Sequence, residues 1–299
     1  MSAIQGMISG LILWLLFALF DVNVPLNLQV WHNQSAPLAV ADCREQISPP
    51  LRPLLNSHSP AQKAPDALPK QINLLVWNTY KFQNTGWQQE LADAAKHADM
   101  LLLQEVAAHQ QWHQWYSQAQ AVYPSLTTPL LVRAFEKGDA PAGVWLSSSV
   151  PAQRLCASRF EEPWIGVPKS LLAAEYAWQG QTLLIVNLHG VNFSWALDEF
   201  QAQIQVAADL ADAHDGPVVV AGDFNTWRQA RVDSVSETLR KVGLQQIRPS
   251  PDLRTRINAL AIDQVWVKGL DVVNAHSAVS ETSDHNQITI SIVPLTNTL

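Results

Sequence analysis

Cysteine is nearly absent from this 299-residue chain: Cys43 and Cys156 are the only two, and they form no CxxC pair. That excludes a thiolate zinc cage and a disulfide-dense scaffold. A single disulfide stays open, but two free thiols acting as small buried hydrophobes are the favoured expectation. A surplus of positive charge is also missing, because 19 Lys and Arg face 26 Asp and Glu, for a formal charge of −7. Gripping nucleic acid by bulk charge requires a Lys/Arg surplus at the contact surface, so a polyanionic substrate would have to meet a local patch or a bound cation. Internal repeats are lacking too. What the chain does have, 47% hydrophobic residues over this length, suffices for a sizeable core and excludes disorder throughout.

Charge is absent altogether from residues 1–20, and residues 4–20 (IQGMISGLILWLLFALF) are nearly all apolar. That is the short end of what spans a bilayer, about 17 to 25 residues. The stretch fits an anchor, an uncleaved signal or a helix docked on the protein. It lacks the Lys or Arg that precedes a secretory h-region and any A-x-A cleavage site. With Arg44 the first basic residue, the positive-inside rule has little to count and orientation stays open. Membrane association through residues 4–20 is expected, with a cytoplasmic protein as the alternative. Seven prolines between residues 33 and 70 read as an extended linker. The chain therefore divides into an apolar segment at 1–32, a Pro-rich linker at 33–70 and a catalytic unit at 71–299.

In that unit, short apolar runs recur: INLLVW at 72–77, MLLLQ at 100–104, GVWLS at 143–147, LLAAEYAW at 171–178, TLLIVNLH at 182–189, PVVVAGDF at 217–224, AIDQVWV at 261–267 and QITISIV at 287–293. Continuous apolar runs of this length suit strands buried on both faces. Helical periodicity appears at 88–98, 107–117, 195–214 and 233–242. In the third, Leu197, Phe200, Ile204, Ala207, Ala208 and Ala211 make one stripe. Sheets faced by helices, a layered α/β domain, is the architecture this pattern predicts.

Polar residues gather at the ends of the apolar runs. Asn78 follows LLVW and Glu105 follows LLLQ; Asn187 and His189 close LLIVNLH; Asp223 and Asn225 close VVVAGDFN; Asp263 interrupts AIDQVWV; Asp284 and His285 precede the last run. Carboxylates are costly in apolar strands unless paired or bound to metal, so their recurrence at successive strand ends points to one shared site. Pairs two residues apart, Asp223 with Asn225 and Asn187 with His189, project from one face of an extended chain. Oxygen-rich ligands without a thiolate cluster select hard cations such as Mg²⁺ or Mn²⁺. Two histidines beside the acids supply proton-transfer groups.

Taken in order, VWN, LLLQE, NLH, GDFN, ID and SDH resemble the endonuclease/exonuclease/phosphatase superfamily, the DNase-I-like phosphodiesterases, over about residues 72–293. NLHGVNF with AGDFNTW looks like the bacterial YafD group within it. The resemblance implies a four-layer α/β sandwich, two packed mixed sheets flanked by helices. It implies that Asn78 and Glu105 hold the metal, with Asp284 as a further ligand. Asp223 would orient or deprotonate the attacking water, Asn225 would bond a phosphate oxygen, and His285, polarised by Asp263, would contact the scissile phosphate or act as base. His189 would be general acid or phosphate ligand, and Asn187 a supporting substrate contact. Gln264 departs from the commonest family pattern, in which His or Tyr follows the Asp.

Each of these residues also has a purely structural reading: Asn78 as a turn cap, Asp223-Phe224-Asn225 as an Asx turn, Asp284 as a surface acid. Arg228 and Arg231 either contact phosphate or lie on a solvated helix face. The expected protein is a metal-dependent phosphoester hydrolase, acting on nucleic acid, a phospholipid or phosphoinositide head group, or a small diester. A membrane-tethered binding protein on the same fold is the alternative from another class. No obligate protein partner is indicated.

Overall fold

A computed structural model describes residues 22–32, 37–46, 68–163, 166–194 and 196–295. In chain order its main strands are β1 (Gln29–Trp31), β2 (Leu38–Ala39), β3 (Ile72–Asn78), β4 (Met100–Ala107), β5 (Thr128–Val132), β6 (Ala140–Ser148), β7 (Arg154–Phe160), β8 (Lys169–Trp178), β9 (Gln181–His189), β10 (Val218–Asp223), β11 (Gln245–Ile247), β12 (Asp263–Lys268), β13 (Leu270–Ala278) and β14 (Gln287–Pro294). The α-helices are α1 (Trp87–Ala95), α2 (Gln110–Ala119), α3 (Asp198–Ala213) and α4 (Gln229–Lys241). One sheet runs β13-β14-β3-β4-β6-β5-β1-β2 and the other β11-β12-β10-β9-β8-β7. Within them β3 pairs parallel with β4, and β9 with β10.

Side-chain alternation sorts these strands into layers. Leu74 and Val76 of β3 face the core between the sheets, together with Ile185, Val219 and Ile290. Their neighbours Leu75 and Trp77 face the other way, onto Trp87 and Leu91 of α1 and Trp112 and Tyr116 of α2. On the second sheet Leu184 and Val186 face Phe200, Ile204 and Ala207 of α3 and Val235 and Leu239 of α4. The result is helices, sheet, sheet, helices, the four-layer sandwich. Each fully buried Leu, Ile or Val contributes about 1.5–3 kcal/mol, which is why strands with both faces covered read as unbroken apolar runs. In α3 the stripe faces the sheet, and Asp198 and Glu199 in its first turn complement the helix dipole.

The amino-terminal part of the chain differs from expectation. Strand β1 pairs with β5, Trp31 packs edge-on against Trp112 at 5.6 Å, and β2 pairs with β1. The segment assigned to apolar tail and linker thus contributes strands to the first sheet, and the domain reaches back well before residue 71. Cys43 and Cys156 are joined by a disulfide rather than free, with Cα atoms 5.0 Å apart. A bridge-type pairing of Asp42 with Ala157 lays the residues around Cys43 alongside β7, bringing together two cysteines separated by 113 residues. Residues 4–20 and five of the seven prolines between residues 33 and 70 lie outside the described residues. Among the described residues, no helix is long and apolar enough to cross a membrane.

Candidate active site

Strand register builds the core of the site. His189 at the end of β9 is the register partner of Asp223 at the end of β10, and Asp223 is that of Asp263 at the start of β12. Three polar side chains therefore stand in a row on adjacent strands, about 4.8 Å apart. Gly222 makes the row possible: at φ 141°, a Cβ there would lie 2.0 Å from the Leu188 carbonyl oxygen. The close approach this glycine allows is that of β10 to β9.

Asn78, at the end of β3 in the other sheet, donates from Nδ2 to Asp223 Oδ2 at 3.1 Å and so ties the two sheets together at this edge. Its Oδ1 accepts from the Tyr80 backbone at 3.1 Å. Glu105 sits where β4 slips register against β6, with φ 55°. Such a bulge re-aims a side chain out of the ladder, and Glu105 meets the Lys81 ammonium in an ion pair. The loop before β14 is pinned to β3: Ser283 Oγ donates to the Asn78 carbonyl at 2.6 Å, and Trp77 Nε1 donates to the His285 carbonyl at 3.1 Å.

His285 Nδ1 lies 2.9 and 3.0 Å from the two Asp263 oxygens, and its Nε2 is 3.8 Å from Asp223 Oδ2. Burial alone would neutralise this imidazole, but the carboxylates of Asp263 and Asp223 outweigh it and push its pKa up to about 10. It is therefore an imidazolium at neutral pH. Asp223 is pushed above the usual carboxylate range by burial and by Asp263, against the pull of His285. His189 behaves oppositely. Burial and the Lys169 ammonium hold it well below its usual pKa, so it is neutral, and Nε2 accepts from Lys169 Nζ at 3.0 Å. Its Nε2 also lies 3.4 Å from Asp223 Oδ2 and 3.7 Å from Glu105 Oε1.

Asn78, Glu105, His189, Asp223, Asp263 and His285 thus converge. Asp284 sits at the rim with its side chain 57% exposed, 4.0 Å from His285 Nε2. Asn225, at φ 50°, donates its backbone N–H to Asp223 Oδ1 at 2.8 Å and its amide to the Gly190 carbonyl at 2.9 Å, so it braces Asp223. Asn187 departs from the role sequence reasoning gave it. Its amide donates to the Leu103 and Trp145 carbonyls and accepts from Gln104, all across the sheet interface, and it is fully buried. Arg228 is half-buried beside the Trp227 ring. Arg231 does not lie on a solvated helix face. It is fully buried, donating to the carbonyls of Val191, Asn192, Ser194 and Asn225. Gln264 faces away from the site, bonded to Thr226, Gln246 and Trp266.

Lys81, Lys169 and Glu162 belong to the site but lie outside every sequence motif. Lys81 lies three residues beyond Asn78 on a turn in which Tyr80, Lys81 and Phe82 all have positive φ. Glu162 accepts from the backbone of Asn192 and Phe193, fixing the loop after His189. Charged residues in turns carry no periodicity, and only the closeness of Lys81 to VWN offered a hint.

The profile of the endonuclease/exonuclease/phosphatase family matches residues 75–285, the span that holds every residue of this row. The chain belongs to that family. Among its relatives is the UPF0294 protein of Vibrio cholerae serotype O1, 38% identical over 240 residues, 80% of this chain and 83% of the relative. The UPF0294 protein of Klebsiella pneumoniae is 33% identical over 230 residues, 75% of this chain and 83% of the relative. Solved structures share the fold. The family protein from Leptotrichia buccalis superposes with a TM-score of 0.56 at 13% identity, covering 74% of this chain and 99% of that one. D. rerio TDP2 complexed with single-strand DNA product gives 0.53 at 18% identity, covering 75% and 99%.

Endonuclease/exonuclease/phosphatase enzymes work with divalent cations, and the donors present fit one. Asp223, Asp263 and His285 place ligand atoms within 4.8 Å of one another, but the imidazolium of His285 has no lone pair to give while Asp263 holds its proton. Glu105 is the better anchor. Burial opposes its ionisation, yet the ammoniums of Lys81 and Lys169 hold its pKa well below the ordinary value. The Lys81 ammonium already stands on this carboxylate as a cation in its place, with Asn78 at the end of the neighbouring strand and Asp284 at the rim. Carboxylate and amide oxygens without thiolate are the donor set of Mg²⁺ or Mn²⁺.

Proposed function

We propose that this chain is a divalent-metal-dependent phosphodiesterase. The observation that carries the reading is the placement of His285, held at Nδ1 by Asp263 with Nε2 directed at the Asp223 carboxylate. Asn78 and Asn225 fix the orientation of Asp223, and its raised pKa suits it to take a proton from an attacking water at Oδ2. Nε2–H of His285 is a cationic donor for a phosphoryl oxygen as charge builds on it. His189 stands across Asp223 from His285, and its Nε2 positions the Lys169 ammonium at this end of the cleft. Glu105, with Asn78 and Asp284, would hold the cation, which supplies Lewis-acid compensation of phosphoryl charge. Arg228, three residues beyond Asn225 and immediately before α4, would be a further cationic contact for substrate.

Incubating the full chain with Mg²⁺ or Mn²⁺ and a panel of DNA, RNA, bis-p-nitrophenyl phosphate and phospholipids tests this. Release that disappears with EDTA is expected. No metal-dependent release from any of them would leave the binding-protein alternative standing. The buried Cys43–Cys156 disulfide, a bond that persists in oxidising compartments, supports a second part of the proposal: residues 4–20 anchor the domain on the oxidising side of a membrane. Fractionating cells carrying the full chain and one lacking residues 1–21, with thiol trapping of both, tests that placement.

A further inference from the structure

Beside Glu105 and His189 the cleft continues into a cavity of about 80 Å³. Lys81 and Lys169 supply its cationic wall, and Phe135, Val167 and Pro168 its apolar one. A single water needs only about 10–15 Å³ of such space, so a group several waters in size fits.

The charges at this end are not accounted for by the reaction at His285. The Lys169 side chain is 17% exposed; it acts on the Glu105 carboxylate only at longer range, and its near neighbours are the imidazole of His189 at 3.0 Å and Glu162 Oε1 at 3.9 Å. The second distance is beyond hydrogen-bond range, and the Glu162 carboxylate is already occupied by two backbone N–H groups. An ammonium this far from water is costly without a close anion. Lys81 has Glu105 as its anion. A cation on Glu105 would compete for that carboxylate, leaving two ammoniums facing one small cavity.

We propose that this cavity binds a second phosphate group of the substrate, adjacent to the scissile phosphoester, with Lys81 and Lys169 as counter-ions and Phe135, Val167 and Pro168 against the carbon skeleton that carries it. A phosphate monoester matches two ammoniums in charge and brings three acceptor oxygens, whereas a carboxylate brings one charge and two oxygens. The inference rests on the phosphoester-hydrolase reading and narrows it to substrates that carry two neighbouring phosphates. A terminally phosphorylated oligonucleotide and a phosphorylated inositol head group share this chemistry.

Two matched substrate pairs separate the sources: a dinucleotide with and without a 5′-terminal phosphate, and glycerophosphoinositol with and without a ring phosphate. For the full chain with Mg²⁺, kcat/KM is expected to be at least about tenfold higher for the phosphorylated member of one pair. That pair names the source. Within Lys169→Met and within Lys81→Met the ratio should fall towards one, and Lys169→Arg should restore it. Titration calorimetry with inorganic phosphate on the Mg²⁺-loaded protein gives a readout independent of turnover, with binding weakened about tenfold or more in both Met variants. Equal kcat/KM within both pairs, or a ratio indifferent to both lysines, overturns the proposal while the hydrolase reading stands. If no substrate is cleaved, the hydrolase reading falls. The calorimetry then decides alone, and phosphate binding that is absent or unaffected by both lysines overturns the cavity's assignment.

Discussion

His285 gains its charge from Asp263, so the two residues form one functional group. The pKa of this imidazole in the folded protein, about 10, lies above its ordinary 6.5. The stabilisation it brings is therefore complete below about pH 6.5 and is lost as pH rises through 10. The urea midpoint is expected to fall between pH 7 and 10.5, and Asp263→Asn should flatten that dependence. The same substitution should move the alkaline limb of the kcat profile to lower pH by more than one unit, because the imidazolium loses its closest anion. Replacing Asp223 by Asn removes the proton acceptor without changing shape. Turnover should drop by roughly 10² to 10⁴, with the melting temperature within a few degrees of wild type. A fully active Asp223→Asn would refute the assignment. Asn187 marks the limit of residue-level reading: NLH projects Asn187 and His189 from one face, but a side chain on that face meets either substrate or the opposite sheet, and Asn187 meets Leu103 and Trp145.

Between the strands and the substrate lie loops, and buried polar groups set their shape. Arg231, on α4, closes four carbonyls of the loops after β9 and β10 with one guanidinium and stacks on Phe200 at 4.4 Å. Arg231→Met would leave those carbonyls unpaired. A loss of about 3 kcal/mol or more in denaturant-measured stability is expected, with weaker substrate binding because the loop beside His189 is released. Apolar strands such as LLIVNLH were legible in the sequence because both of their faces are buried. Strand β13, LDVVNAHSA, was not: it is an edge strand with a largely exposed, polar surface and a bulge after Val272. Edge strands need no apolar run, and charges or bulges there discourage pairing with other chains.

At the scale of the molecule, β1 binds residues 22–32 to the first sheet and the disulfide binds residues 37–46 to the second. Closing a loop of over 100 residues restrains the unfolded chain, so the Cys43→Ser, Cys156→Ser double variant should lose about 3–5 kcal/mol. Thermal denaturation should show this as a melting temperature lower by roughly 10 °C, reproduced by reductant in the wild type. A fragment starting at residue 71 forfeits β1, Trp31 and the disulfide together and is expected to be less stable still.

Strand order along the chain, helix stripes and the row of polar residues closing apolar runs are local patterns. Periodicity and the cost of burying charge write them into the sequence directly, and they determined the family, the layered fold and most of the converging residues. The tertiary structure decided what depends on partners distant in sequence. Two cysteines 113 residues apart become neighbours because a polypeptide stretch folds back along β7. One histidine is charged and the other neutral because Asp263 lies beside His285 and Lys169 beside His189. Two lysines outside every motif come to face one cavity. Protonation state and pocket charge are sums over spatial neighbours, and linear spacing does not encode those sums.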